Sequence, residues 1–186
     1  ADLIAASHDI HAHPELNFEE HFAHELLTSM IEKNELPVTR KAYGLDTAFE
    51  TKIGTRGLDV AVLCEYDALP GIGHACGHNV IAAAGLGAGL ALAQVAEHAG
   101  GRLTLMGTPA EEGGGGKVEM ARAGAFKGLA AAMMVHPADR DLARMKAIAI
   151  QQLAQSHLRI RSLCHHLQKF KFSSVKSKFI PIKTFN

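Results

Sequence analysis

The sequence predicts an α/β fold, a mostly parallel sheet in three layers with helices on both faces. Two observations predict it. Apolar runs of strand length at 58–63, 103–107 and 129–135 alternate with helix-length segments at 80–96 and 116–123, and that alternation implies crossover connections between parallel strands. A carboxylate, a thiol and two imidazoles (Asp67, His74, Cys76 and His78) then fall within twelve positions, directly after the first of those runs. The carboxyl end of a strand is where α/β sheets place their clefts.

Taken in order, residues 2–10 read as a short helix that Pro14 terminates, because the residue before a proline is driven out of the helical region. Asn17 is placed to cap a second helix, and Glu20 three residues later would complete a capping box. Phe18, Phe22, Leu26, Met30 and Ile31 recur at helical spacing, so this helix should end near Asn34. Residues 38–43, 47–53 and 58–63 are strand candidates separated by Gly44, Gly54 and Gly57. A helix rich in Ala and Gly follows at 80–96, then a strand at 103–107, a short helix at 116–123 and a strand at 129–135.

The 17 residues at 80–96 carry no charge but include three glycines and a glutamine. They fall short of the roughly 20 apolar residues of a membrane span and read as a buried helix. The glycine-rich segments are not nucleotide motifs. Gly85, Gly87 and Gly89 are followed by Leu92 where the dinucleotide fingerprint needs a small residue, and Val118 stands where a phosphate loop needs Ser or Thr.

A length of 186 residues with 47% hydrophobic content suits one domain or a little more, with a real core. Three cysteines without a pairing pattern, no Asn-x-Ser/Thr sequon and no signal-peptide n-region point to a reducing, cytoplasmic setting. The first residue is Ala1, which leaves a removed targeting segment open. Formal net charge is zero, yet residues 154–186 carry seven Lys/Arg and no Asp/Glu, five of the seven serines and none of the 18 glycines. The basic residues form no nucleic-acid-binding motif. The shift instead reads as a domain at 1–153 followed by an unrelated, poorly ordered basic tail at 154–186, the product of alternative splicing or an out-of-frame end.

Three separated motifs carry a family resemblance. Tyr66-Asp67-Ala68-Leu69-Pro70 with His74-Ala75-Cys76-Gly77-His78, then Pro109-Ala110-Glu111-Glu112-Gly113, then Val135-His136-Pro137, resemble the amidohydrolase branch of the aminoacylase/carboxypeptidase metallopeptidases. The similarity covers roughly residues 1–153. Glu65-Tyr66-Asp67 with Gly71-Ile72-Gly73-His74 is most similar to dipeptidase members of that branch. This implies a zinc-peptidase-like sheet and hydrolysis of dipeptides such as β-alanyl-lysine, with a basic C-terminal residue. N-acyl amino acids or aminobenzoyl-glutamate are the alternative substrates. A non-catalytic metal-binding or regulatory splice form is the alternative of another class.

The resemblance also implies two divalent metal ions. Cys76 would bridge them, and His78, Glu112 and His136 would complete most of the shell. Thiolate, imidazole and carboxylate together make a borderline-soft set suited to zinc, with manganese admitted by the carboxylate. Glu111 is implied as the general base, and Asp67 as the aspartate that orients a ligand imidazole and fixes its tautomer. Each residue also has a plainer reading. Cys76 alone would be a small buried hydrophobe, Glu111-Glu112 a solvated pair, and His136 a strand terminator. His11 and His13 match the family's His-x-His-Pro-Glu run but read as structural, and His74 stays undecided. His157, Cys164, His165 and His166 form no convincing metal cluster.

Relatives of this kind run to roughly twice the length. They insert a lid and dimerisation domain after the strand near Ile148 and return with a last ligand histidine. The expectation is therefore an incomplete sheet lacking its lid, its final strands and one ligand, with little activity of its own. Residues 143–153 read as the opening strand toward that lid. Neither nucleic acid nor a membrane is expected as a partner, and the homodimer common in the family would form through the lid.

Overall fold

In the computed structural model, residues 2–137 and the backbone of 144–148 are described; the tail at 154–186, with its histidines and Cys164, lies outside them. The chain starts with helix α1 (Leu3–Ala12), whose first turn is capped by Asp2, its carboxylate accepting from Ala5 N at 3.1 Å. Helix α2 (His21–Lys33) follows and ends at Asn34 as expected. Its start differs from the capping box expected at Asn17 and Glu20. Phe18 turns the chain with φ 64°, and the cap comes from Glu15, whose two oxygens accept from Phe22 N and Ala23 N at 2.8 and 3.0 Å. Glu20 makes no side-chain cap because its carboxylate is buried inward, toward Thr47 and Ala110.

Strand β1 keeps only Thr39–Arg40 of the expected 38–43, since Lys41 and Tyr43 adopt positive φ and fold into a 3-10 turn at Ala42–Gly44. Strands β2 (Phe49–Ile53) and β3 (Asp59–Cys64), helix α3 (His78–Ala93), strand β4 (Arg102–Gly107), helix α4 (Gly116–Arg122) and strands β5 (Ala131–His136) and β6 (Arg144–Ile148) complete the described elements. No helix among them is long and apolar enough to cross a membrane.

The six strands form one sheet in the order β1-β2-β4-β3-β5-β6. Only its centre is parallel, with β3 between β4 and β5, whereas β1–β2, β2–β4 and β5–β6 are antiparallel. This corrects the expectation of a mostly parallel sheet. Parallel strands need a crossover of about a dozen residues, and the linker at 54–58 between β2 and β3 is too short to be one.

The centre of the sheet sets the position of the site. The chain passes from β3 through α3 to β4 on one side, then through α4 to β5 on the other side of β3. Right-handed crossovers running in opposite directions put α3 and α4 on opposite faces, and the strand order reverses beside β3. Two apolar clusters confirm the three layers. One joins Val62 and Cys64 of β3 to Ile10, Leu27, Ile31 and Leu86, while the other joins Ala61 and Leu63 to Met106, Met120, Leu129 and Ala132. Ile10, Leu27 and Leu86 are fully buried, each worth about 1.5–3 kcal/mol relative to exposure.

The Ala/Gly composition of α3 has a steric cause. A Cβ at Gly85 would lie 2.7 Å from Cys64 Sγ and 2.8 Å from the Leu63 carbonyl, and one at Gly89 would lie 2.8 Å from Leu105. The helix axis therefore approaches β3 and β4 as closely as bare backbone allows.

Candidate metal centre

Three strand ends deliver the polar side chains. The extended chain leaving β3 alternates sides, so Glu65 and Asp67 share one side. Tyr66 goes to the other, where its hydroxyl donates to the Thr47 carbonyl at 2.5 Å and its ring stacks on Phe49. Helix α3 then begins at His78, preceded by Gly77 with φ 76°. His78 is buried, and its Nδ1 lies 3.0 Å from Asp67 Oδ1 and 2.9 Å from the Asp67 carbonyl. Both partners are acceptors. The proton therefore sits on Nδ1, and Nε2 presents its lone pair.

The loop after β4 carries the two glutamates. Ala110, at φ 56°, donates its N–H to Glu20 Oε1 at 2.8 Å, and Glu112 donates its N–H to Asp67 Oδ2 at 2.8 Å. Two buried carboxylates thus hold the backbone on either side of Glu111. The glycine run that follows lets the chain fold back tightly, since a Cβ at Gly116 would lie 1.9 Å from the Pro109 carbonyl. At the end of β5, His136 is half-buried with its ring edge-on to His78, centroids 6.1 Å apart. Its Nδ1 donates to the Pro137 carbonyl at 2.8 Å, which leaves Nε2 as the free acceptor.

Around His78 Nε2 the carboxylates converge. Glu65 Oε2 and Glu112 Oε1 each lie 3.5 Å from it. Among the described residues two sets have ligand atoms within 4.8 Å of one another, His78 with Glu111 and Glu112, and His78 with Glu65 and His136. Of the residues expected from sequence, Asp67, His78, Glu111, Glu112 and His136 are brought together. Cys76 is partly exposed and lies outside both sets. His11 and His74 belong to neither set and lie beside each other with ring centroids 6.3 Å apart. His13 stacks on Phe22 and closes α1 through the Asp9 carbonyl, a structural role.

The charges shift one another. Burial alone would raise Asp67, but the hydrogen bonds from His78 and from the Glu112 and Glu111 backbone hold it below the usual carboxylate value. Burial alone would lower His78, and the carboxylates of Asp67, Glu65 and Glu112 outweigh it, so the imidazole is raised. Burial first, and then Glu112, push the Cys76 thiol up to about 12. A bound cation inverts that order, since a coordinating thiol gives up its proton outright.

Sequence reading missed two residues. Glu65 is 2% exposed, and Lys117, from the first turn of α4, contacts its Oε1 with an ammonium that the pairing keeps charged despite burial. The available signal was the Glu-x-Asp spacing at the end of a strand, which puts both carboxylates on one side. Glu65 Oε2 and His78 Nε2 are both buried without a hydrogen-bond partner. Orphaned groups of that kind cost free energy unless something satisfies them, and a donor set of carboxylates, imidazoles and a nearby thiol fits a divalent cation.

An α/β sheet whose strand ends gather carboxylates and imidazoles presents a candidate metal centre. The chain belongs to Peptidase family M20/M25/M40, which residues 61–165 match. Among its relatives, the Xaa-Arg dipeptidase of Mus musculus is 44% identical over 79% of this chain. One component of the p-aminobenzoyl-glutamate hydrolase of Escherichia coli strain K12 is 36% identical over 67%. The chain spans 37% of the first relative's length and 30% of the second's. Among solved structures, the YXEP protein of Bacillus subtilis, described as a dinuclear metal binding peptidase, superposes with a TM-score of 0.62 at 26% identity. That superposition covers 69% of this chain and 40% of the other.

Proposed function

We propose that this segment supplies the metal ligands and the general base of a hydrolase that cleaves the amide bond of a dipeptide with a basic C-terminal residue. One observation carries the reading: the unpartnered Nε2 of His78, oriented through Nδ1 by Asp67 and faced by Glu112 at 3.5 Å. Cys76, His78, Glu112 and His136 would hold two divalent ions, zinc by the softness of the set and manganese as the alternative. Such ions, when bound, supply Lewis acidity toward a scissile carbonyl and toward water.

The remaining steps belong to the chain's own groups. Glu111 sits beside His78 and Glu112 on a backbone fixed at Ala110 and Glu112, so its carboxylate is positioned to take a proton from the attacking water and return it to the leaving amine. Asp67 holds the His78 tautomer and, through its other oxygen, the Glu112 backbone. The 44% identity to a relative named for Xaa-Arg dipeptides supports the basic C-terminal residue. A second reading, hydrolysis of an aminobenzoyl-glutamate or another N-acyl amino acid, is favoured by the bacterial relative at 36%. Free Cys64 and Cys76 support a cytosolic setting.

Since the relatives are longer, the test uses a chimera in which residues 1–148 replace the matching segment of the mouse dipeptidase. The chimera should hydrolyse a dipeptide ending in Arg only when loaded with metal. Within it, Glu111→Gln should keep the metal and lower turnover by about 100-fold or more, whereas Glu112→Gln should lose metal as well. A folded, metal-loaded chimera with no turnover on Arg or Lys dipeptides or N-acyl amino acids refutes the reading. Metal loss from Glu111→Gln but not from Glu112→Gln would exchange the two roles.

A further inference from the structure

We propose that Glu65 is itself a metal-contacting residue, acting with His78 and His136, and that Lys117 is the positioning residue that aims it. The inference rests on the reading that this site holds divalent ions. Glu65 is 2% and His78 1% exposed, yet neither Glu65 Oε2 nor His78 Nε2 has a hydrogen-bond partner. The two atoms lie 3.5 Å apart. Two ligand atoms at about 2.0–2.1 Å from a tetrahedral ion stand about 3.3 Å apart. The gap therefore matches a ligand-to-ligand edge better than a direct hydrogen bond.

His136 closes the group, its ligand atom lying within 4.8 Å of both others. Its Nδ1 is spent on the Pro137 carbonyl, so Nε2 is the nitrogen left for the ion.

Lys117 explains why Glu65 points this way. Its ammonium contacts Oε1 alone, and its side chain is only 15% exposed. An ammonium buried against one carboxylate oxygen fixes the rotamer of that side chain, which turns Oε2 toward His78. The Lys117 contact uses only one Glu65 oxygen and leaves Oε2, buried and without a hydrogen-bond partner, facing His78 Nε2 at 3.5 Å.

The test compares the unaltered chain with Glu65→Asp, Lys117→Met, Glu65→Gln and the double variant Glu65→Gln/Lys117→Met. Zinc content is read by elemental analysis after dialysis, the binding environment by the visible spectrum of the cobalt-substituted protein, and folding by circular dichroism. The single Glu65→Gln change strands a buried ammonium, so the double variant, which removes both charges together, carries the decision. It should bind zinc at least about 100-fold more weakly, with an altered cobalt spectrum. Lys117→Met, which keeps the carboxylate but releases its orientation, should cost about 10-fold, in the range of outer-shell partners. Should the double variant not fold, Glu65→Asp decides, because it keeps the charge for Lys117 but withdraws the oxygen by one methylene. Unchanged zinc affinity and cobalt spectrum in the folded double variant, or in Glu65→Asp, overturn the assignment of Glu65 alone. A folded unaltered chain that takes up no metal overturns the metal reading of the whole site with it.

Discussion

Two buried carboxylates grip the same loop from opposite ends and end up in opposite electrostatic states. Glu20, on the α2 side, accepts from the Ala110 N–H and from the Thr47 hydroxyl at 2.8 Å, both neutral donors. Burial wins there, and Glu20 is raised. Asp67, on the α3 side, accepts from the Glu112 N–H and from the His78 imidazole, and those hydrogen bonds outweigh burial, so it is lowered. The number of hydrogen bonds is similar. A chargeable partner makes the difference, which separates a carboxylate serving as a scaffold clamp from one wired into the candidate metal site.

The sharpest way to break that contrast is to delete the clamp. Glu20→Ala leaves the Ala110 N–H and the Thr47 hydroxyl buried without a partner, at about 1–3 kcal/mol each. Urea denaturation should therefore show a loss of about 2–5 kcal/mol, and a loss below about 1 kcal/mol would mean that water replaces the carboxylate.

Next comes Asp67→Asn, which cannot accept from both His78 and the Glu112 backbone at once. Metal affinity measured by calorimetric titration should fall about 10- to 100-fold with the fold retained. An unchanged affinity would mean that His78 is oriented by the Asp67 carbonyl at 2.9 Å alone. Thr47→Val removes only one neutral donor from Glu20 and should cost about 1 kcal/mol in the same denaturation assay. A cost as large as that of Glu20→Ala would place the clamp at Thr47 instead.

The smallest effect is on pH dependence. Because Glu20 is raised in the fold, the native state holds its proton more tightly than the unfolded chain. Its contribution is fully present below the ordinary glutamate value and declines as pH rises from there through the raised native value. The groups facing it are the Thr47 hydroxyl, the Ala110 N–H and Tyr66. Glu20→Gln should remove that decline, and stability measured from acid to neutral pH should run flatter than in the unaltered chain. A parallel pair of curves would contradict the raised Glu20.

How much of this was legible in the sequence depended on whether a residue acts locally or across the fold. The alternation of strands and helices and the end of α2 at Asn34 followed from local spacing, whereas the grouping of Asp67, His78, Glu111, Glu112 and His136 was implied by the family resemblance and by no spacing in the chain. Glu20 was misread because a capping box is judged from three neighbouring positions, whereas its partners, Thr47 and Ala110, are 27 and 90 residues away. Lys117 after four glycines reads as solvated, and only the fold brings it against Glu65. The truncation of β1 came from left-handed Lys41 and Tyr43, residue types that give no local warning. The antiparallel flanks, by contrast, were visible in the short linker at 54–58 and were overlooked in favour of the alternation.

The glycine-lined seat of α3 has one further consequence. With Cys64, the Leu63 carbonyl, Leu3 and Leu105 pressed against its glycines the helix has little room to roll or slide, and His78 stands on its first turn, so the imidazole acts as a fixed anvil. The loop opposite, which carries Glu111 and Glu112, is held by two backbone hydrogen bonds. Ions of different radius offered to the candidate site should therefore shift the Glu112 side chain, whose backbone Asp67 holds, while leaving His78 where it is.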